Sequence, residues 1–103
     1  MSPNIAFTIK EYRSCCLVQF VLNEALRPED IATLQPPHPV EEGFADKGVV
    51  LSGRGPIWLF CFLTHFYHTT KFVATHDPRL NGAVVVETHT PEVRVGDVIE
   101  IKP

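Results

Sequence analysis

The stretch from Gly48 to Leu59, Gly-Val-Val-Leu-Ser-Gly-Arg-Gly-Pro-Ile-Trp-Leu, constrains this chain more than any other. It opens with β-branched apolar residues, the composition of a buried strand over 48–52. It breaks at Ser52–Gly53–Arg54–Gly55, and Pro56 then begins a run with no helix breaker until Thr69. Proline suits the first helical position, where its missing N–H costs nothing. The pattern predicts a strand, a glycine loop and a helix over 56–68. Such a junction aims free backbone N–H groups, the positive end of the helix dipole and Arg54 at one point, which suits an anion and phosphate above all. The plainer account is a strand-to-helix turn that uses glycine for positive φ, and the stretch accommodates both. The Gly-Lys-Ser/Thr ending of a P-loop and the spaced glycines of the dinucleotide fingerprint are both missing, which excludes an ordinary NTPase or dehydrogenase loop.

With 103 residues the chain has room for one core, and a self-association that covers more surface suits so short a domain. Hydrophobic residues make up 45% and charged residues 20%, a globular composition. The formal net charge of −3 argues against a protein that tracks long DNA or RNA. Residues 1–47 carry seven acids and four bases, whereas 48–103 carry five of each, so the acidic excess lies in the first half. A small anion held by a few local donors in the second half is compatible with that balance. Cys15, Cys16 and Cys61 lack metal-ligand spacing and read as reduced, buried thiols of a cytoplasmic protein. Residues 1–4 lack the basic region of a signal peptide, and the apolar run 56–63 is far shorter than a membrane span.

Strands are expected over 5–10 and 15–22, joined as a hairpin, followed by a short helix over 28–34 that starts at Pro28 with Glu29 and Asp30 in its first turn. Residues 35–47, broken by Pro36, Pro37 and Pro39, read as a surface loop. The helix 56–68 is apolar nearly all round, which predicts a sheet on one side and a second subunit on the other. Strands follow over 72–75, 82–89 and 98–101, with a turn at His76–Asp77–Pro78–Arg79. The continuous apolar centre of 82–89 suggests a strand covered on both faces. The order is an α/β sandwich with parallel middle strands.

In open α/β sheets ligands bind beyond the carboxyl ends of the strands. On that rule Ser52–Gly55, His76–Arg79 and His89 are expected along one edge. Arg79 and Arg54 would face one crevice, their forks suited to phosphate. Asp77 suits proton acceptance or a divalent metal, and His89 suits a second ligand or an acid–base group. Singly, each has a plain structural account: Asp77 caps a turn and His89 bonds a backbone carbonyl. His65 and His68 share a helical face at i, i+3, where a helix end is the plainer account and a metal pair the weaker one. Trp58 and Phe60 read as core rather than as a base-stacking pair.

The strings Ser52–Gly53–Arg54–Gly55–Pro56–Ile57–Trp58–Leu59, His65–Phe66–Tyr67–His68–Thr69, Asp77–Pro78–Arg79–Leu80 and Gly82–Ala83–Val84–Val85–Val86 running to His89 resemble the third family of CRISPR ring nucleases, small accessory proteins of type III CRISPR systems. The resemblance covers residues 48–101, and residues 1–47 match in outline. It implies a single ring-nuclease domain over 1–103 with a Rossmann-like sandwich related to the CRISPR-associated sensor domains. It further implies a homodimer, with assembly of two dimers around the ligand as an extension; the charge, the short apolar run and the reduced thiols add the expectation of no DNA partner, no membrane partner and a cytoplasmic location. The implied ligand is cyclic tetra-adenylate, cut in a manganese-dependent reaction to short linear oligoadenylates, which switches the immune response off. The family's functional positions fall on His68, Asp77, Arg79 and His89, with Ser52, Gly53, Arg54, Gly55 and Pro56 at the ligand. Manganese is expected on Asp77 and His89, directly or through water. Arg79 would stabilise the pentacovalent charge, and His68 would carry a proton or come from a partner subunit. Asn81 stands where glycine is expected and Thr88 where relatives tend to have serine. A non-catalytic sensor of the same ring, or a manganese-dependent 3′ exoribonuclease on linear RNA, are the competing readings.

Overall fold

A computed structural model describes residues 4–101; residues 1–3, which bear on the signal-peptide reading, lie outside the described part. Six strands form one sheet in chain order: β1 (Ile5–Glu11), β2 (Cys15–Leu22), β3 (Gly48–Gly53), β4 (Phe72–Asp77), β5 (Gly82–Thr88) and β6 (Val98–Glu100). β2, β3 and β4 run parallel, while β1, β5 and β6 pair antiparallel to their neighbours. The single α-helix among the described residues, α1 (Ile57–Phe66), carries the chain from β3 to β4. A 3₁₀ helix over Pro28–Thr33 lies between β2 and β3, and one 3₁₀ turn, Pro78–Leu80, joins β4 to β5. Parallel neighbours need such crossovers because a tight turn can only reverse the chain.

Strand alternation sorts the side chains into two cores. Cys16, Val18, Phe20, Val49, Leu51 and Val73 meet Leu59 and Leu63 of α1 and Tyr67 at its C-cap, together with Leu26, Leu34 and Phe44 from the crossover. On the other face Cys15, Leu17, Val50, Ala74, Ala83 and Val85 pack with Phe72 and Ile101, and with the half-buried Tyr12, Val93 and Ile99. The middle strands are therefore buried on both faces, which is why their sequences read as continuous apolar runs.

Four expectations change. The segment 28–34 is a 3₁₀ helix, and Asp30 is buried because its carboxylate accepts from the Arg27 N–H at 2.8 Å. The loop 35–47 is not merely surface: Phe44 is fully buried, and the buried Tyr67 hydroxyl donates to the Pro37 carbonyl at 2.6 Å. Helix α1 is shorter than 56–68, and it leaves Ile57 83% exposed and the Cys61 thiol at the surface rather than buried. β5 is not covered on both faces throughout: Ala83 and Val85 are buried, Val84 is half-buried, and Val86, at the irregularity in the pairing with β4, is exposed.

Two outcomes follow from these packing differences. Burial pushes the Cys16 thiol up to about 11, with the Glu11 charge adding to it, and burial also raises Cys15. Iodoacetamide at pH 8 is expected to label Cys61 alone in the folded protein, with Cys15 and Cys16 modified only in denaturant, as read by mass spectrometry. Tyr67→Phe deletes the donor to Pro37 and is expected to lower unfolding stability by about 1–2 kcal/mol in urea titration.

Candidate functional site

The carboxyl ends of β2, β3 and β4 share one edge of the sheet, and the loop Gly53–Pro56 lies on it. The glycines of that loop are set by close approach. A Cβ on Gly53 would stand 2.7 Å from the Phe20 carbonyl oxygen and 2.8 Å from its ring, on a φ of +153°. A Cβ on Gly55 would come within 3.0 Å of the Phe20 ring and 3.1 Å of Leu59. The loop thus rests on Phe20, so the plainer reading of the glycines holds whatever else the loop does. Pro56 takes the N-cap position of α1 with extended backbone, and no side chain caps the helix there. A recess of about 360 Å³ opens beside the loop, lined by Phe20, Val21, Leu22, Gly53 and Arg54.

Asp77 ends β4 at the same edge and caps the 3₁₀ turn by accepting from the Arg79 N–H at 3.0 Å. Its two oxygens also accept from Arg79 Nε at 3.3 Å and from a terminal guanidinium nitrogen at 3.2 Å. This fork lowers the Asp77 carboxyl below its ordinary value, through the side-chain bonds first and the backbone bond next. Arg79 is 90% exposed, so the pair presents a positioned guanidinium to solvent. Asn81 closes the turn at a φ of +53°, the left-handed conformation that explains asparagine in place of glycine.

His68 and His89 do not join this group. β5 returns antiparallel to β4, with Asp77 opposite Gly82 and Phe72 opposite Thr88. The carboxyl end of β5 therefore lies at the amino end of β4, where the His89 N–H donates to the Lys71 carbonyl at 2.8 Å. His68 reaches the same edge from the end of α1. The strand rise over Lys71–Asp77 puts His89 roughly 20 Å along β4 from Asp77. The expected convergence of Asp77, Arg79 and His89 on one edge is thus corrected. It assumed that the carboxyl end of every strand points the same way, which holds for parallel strands only.

His68 and His89 are nonetheless oriented. His68 Nδ1 is 2.8 Å from the His65 carbonyl, and the two rings stack at 5.1 Å with 6° between their planes. A carbonyl only accepts, so Nδ1 carries the hydrogen and Nε2 presents the lone pair of the neutral ring. His89 Nε2 is 3.2 Å from Glu87 Oε2, which by the same reasoning leaves Nδ1 with the lone pair.

Sequence reasoning missed Gln19 and gave His76 no role beyond its turn. Both lie at the carboxyl edge, on the face opposite α1, and with Ser52 they line a cavity of about 30 Å³ floored by Leu17 and Ile101. One signal was available: Gln19 and Ser52 are each the polar break after an apolar run in a middle strand, and His76 follows such a break at Thr75.

Residues 19–100 match the family model described as "CRISPR-associated protein (Cas_csx3)". The chain belongs to this family. A protein of Aquifex aeolicus (strain VF5), named only as uncharacterized, is 55% identical over 84 residues, covering 82% of this chain and 76% of the relative. The match begins inside β2, so this Cas_csx3 chain is a family member over more than the 48–101 stretch that carried the resemblance. A CRISPR-associated family accords with that resemblance at the level of the system. Among the described residues no helix is long and apolar enough to cross a membrane, and no group of three or more His, Cys, Asp or Glu side chains comes together to hold a metal.

At the carboxyl edge of the Cas_csx3 chain Arg54 lines the recess beside the glycine loop and Arg79 stands exposed at the end of β4, while His68 and His89 present oriented imidazoles at the opposite edge. The Asp77 carboxyl is expected to titrate below 3.8, the ordinary value, when followed by carbon-13 NMR. Its contribution to stability is present above that ordinary value and lost as pH falls through the lowered one. Arg79→Gln returns the titration upward.

Proposed function

We propose that this chain is a ring nuclease that cuts cyclic tetra-adenylate to linear oligoadenylates in type III CRISPR immunity. The observation that carries the reading is the division of labour between the two edges, phosphate-binding guanidiniums on one and oriented imidazoles on the other, in a chain of a CRISPR-associated family. One protomer cannot present both edges to one phosphodiester across roughly 20 Å of strand. The active unit is therefore an assembly in which the carboxyl edge of one protomer meets the histidine edge of another, in a cytoplasmic protein with a Rossmann-like arrangement. Exposed apolar surface supports self-association: Ile57 on α1, and Val86 and Val98 on the sheet beyond it.

In this assembly Arg54 and the loop amides hold phosphates, and Arg79, fixed by Asp77, stabilises the charge that develops on the attacked phosphorus. The ribose 2′-hydroxyl, held in line, attacks its own 3′ phosphate. A lone pair of His68 or His89 takes the 2′ proton, the 5′-oxygen of the next nucleotide leaves and gains a proton, and a 2′,3′-cyclic phosphate closes the linear product. Asp77 and His89 of one protomer do not fit a manganese ion, since they stand at opposite edges and both Asp77 oxygens accept from Arg79. No step is routed through a metal.

Labelled cyclic tetra-adenylate incubated with the protein, with manganese and with chelator, is expected to give linear products on chromatography, and the two arms read out whether a cation is needed. An intact ring recovered on the protein would make it a sensor. Equal competition by linear oligoadenylate would favour the exoribonuclease. His89→Ala and Arg79→Ala are each expected to slow turnover about 100-fold or more. Mixed in equal amounts, the two inactive variants are expected to recover about a quarter of the wild-type rate, because random assembly pairs one intact edge of each kind at that frequency. A mixture as inactive as its parts would rule out the shared site.

A further inference from the structure

The face opposite α1 is apolar up to one row. Leu17, Val50 and Ala74 are buried side by side on β2, β3 and β4. One step further toward the carboxyl edge stand Gln19, Ser52 and His76. Gln19 pairs in register with Ser52, and Leu51 with Thr75, so the three occupy one level across the sheet. The level continues as Ala83 opposite His76 and Ile99 opposite Ala83. Gln19 is exposed and the other two are half-buried. Among the described residues none of the three side chains makes a hydrogen bond. None of the three is spent on a hydrogen bond, and His76 otherwise adds only its charge beside Asp77.

Adjacent strands lie about 4.8 Å apart, so the row spans roughly 10 Å, comparable with the long edge of a purine with room for the Gln19 side chain to adjust. The cavity beneath holds about 30 Å³, enough for one or two waters and not for a ring. A base would therefore seat over its mouth, against the apolar floor of Leu17 and Ile101, and turn its edge to the polar row. A glutamine amide presents one donor and one acceptor side by side. Adenine offers the complement, N6–H₂ beside N7, whereas guanine shows two acceptors there.

From this we infer that the Gln19–Ser52–His76 row is an adenine-reading subsite, with Gln19 the residue that sets base preference. The inference rests on the proposed ring-binding function and deepens it. It also accounts for a chain with few cations at the site: phosphates alone would not distinguish one nucleotide from another.

The test is binding of labelled cyclic tetra-adenylate whose ribose 2′-hydroxyls are methylated, so that the ring cannot be cut, read by fluorescence anisotropy with adenosine and guanosine 5′-monophosphates as competitors. Wild type is expected to bind the ring and to release it more readily to the adenosine than to the guanosine competitor. Gln19→Leu is expected to weaken ring binding about 10- to 100-fold and to erase the difference between competitors. Gln19→Glu, which keeps size and polarity should the leucine perturb the surface, is expected to do the same because it cannot donate to N7. Arg54→Ala is expected to weaken binding while keeping the preference. Ring binding by both Gln19 variants at wild-type strength, or an unchanged preference, would overturn the subsite while leaving ring binding in place. Failure of wild type to bind the ring at all would overturn the proposed function, and the subsite with it.

Discussion

The parallel run of β2, β3 and β4 is the constraint from which the rest of this molecule follows. Parallel pairing obliges the chain to leave the sheet and return between each pair. The first return uses the 3₁₀ helix and the folded loop that buries Phe44; the second uses α1. Both bring apolar side chains onto one face, and the middle strands are sealed on both sides. Three carboxyl ends then stand together, and that edge receives the glycine loop, the Asp77–Arg79 fork and the Gln19–Ser52–His76 row. Had any of the three strands run the other way, these groups would not share an edge.

The same constraint divides the functional residues. Once β5 is antiparallel, everything at its end belongs to the far edge, and the single 3₁₀ turn between β4 and β5 permits no other direction. Each edge is finished in itself. Asp77 is fully occupied in fixing Arg79, and backbone or carboxylate partners orient His68 and His89 without help from the carboxyl edge. Two pre-oriented half-sites with no route to each other inside one chain suit contact across an interface better than a loop closing over a ligand, because closing the gap internally would require breaking the sheet.

The order of six strands and two helical crossovers was legible because it is written in local chemistry: apolar runs for strands sealed on both faces, Pro28 and Pro56 at helix starts, and short polar links at reversals. What was not legible depends on partners distant in sequence. The orientation of β5 follows from how the turn at Pro78–Leu80 closes, and a strand's apolar content does not record its direction. The glycines at 53 and 55 looked like a phosphate cradle because Phe20, more than thirty residues earlier, was not visible as the ring beneath them. Cys61 sits in an apolar string but points outward, since a helix on one face of a sheet must turn some of its circumference away.

That outward surface also bears on why so small a domain carries more apolar helix than its own sheet can cover. Helix α1 buries Leu59 and Leu63 and leaves Ile57 almost fully exposed, and Val86 and Val98 are exposed apolar residues of the sheet. A domain of this size gains little from enlarging its own core, because the fraction of surface it can bury is set by its length. In the proposed assembly a second copy would supply the missing cover without lengthening the chain, and the same association would bring a histidine edge within reach of an arginine edge.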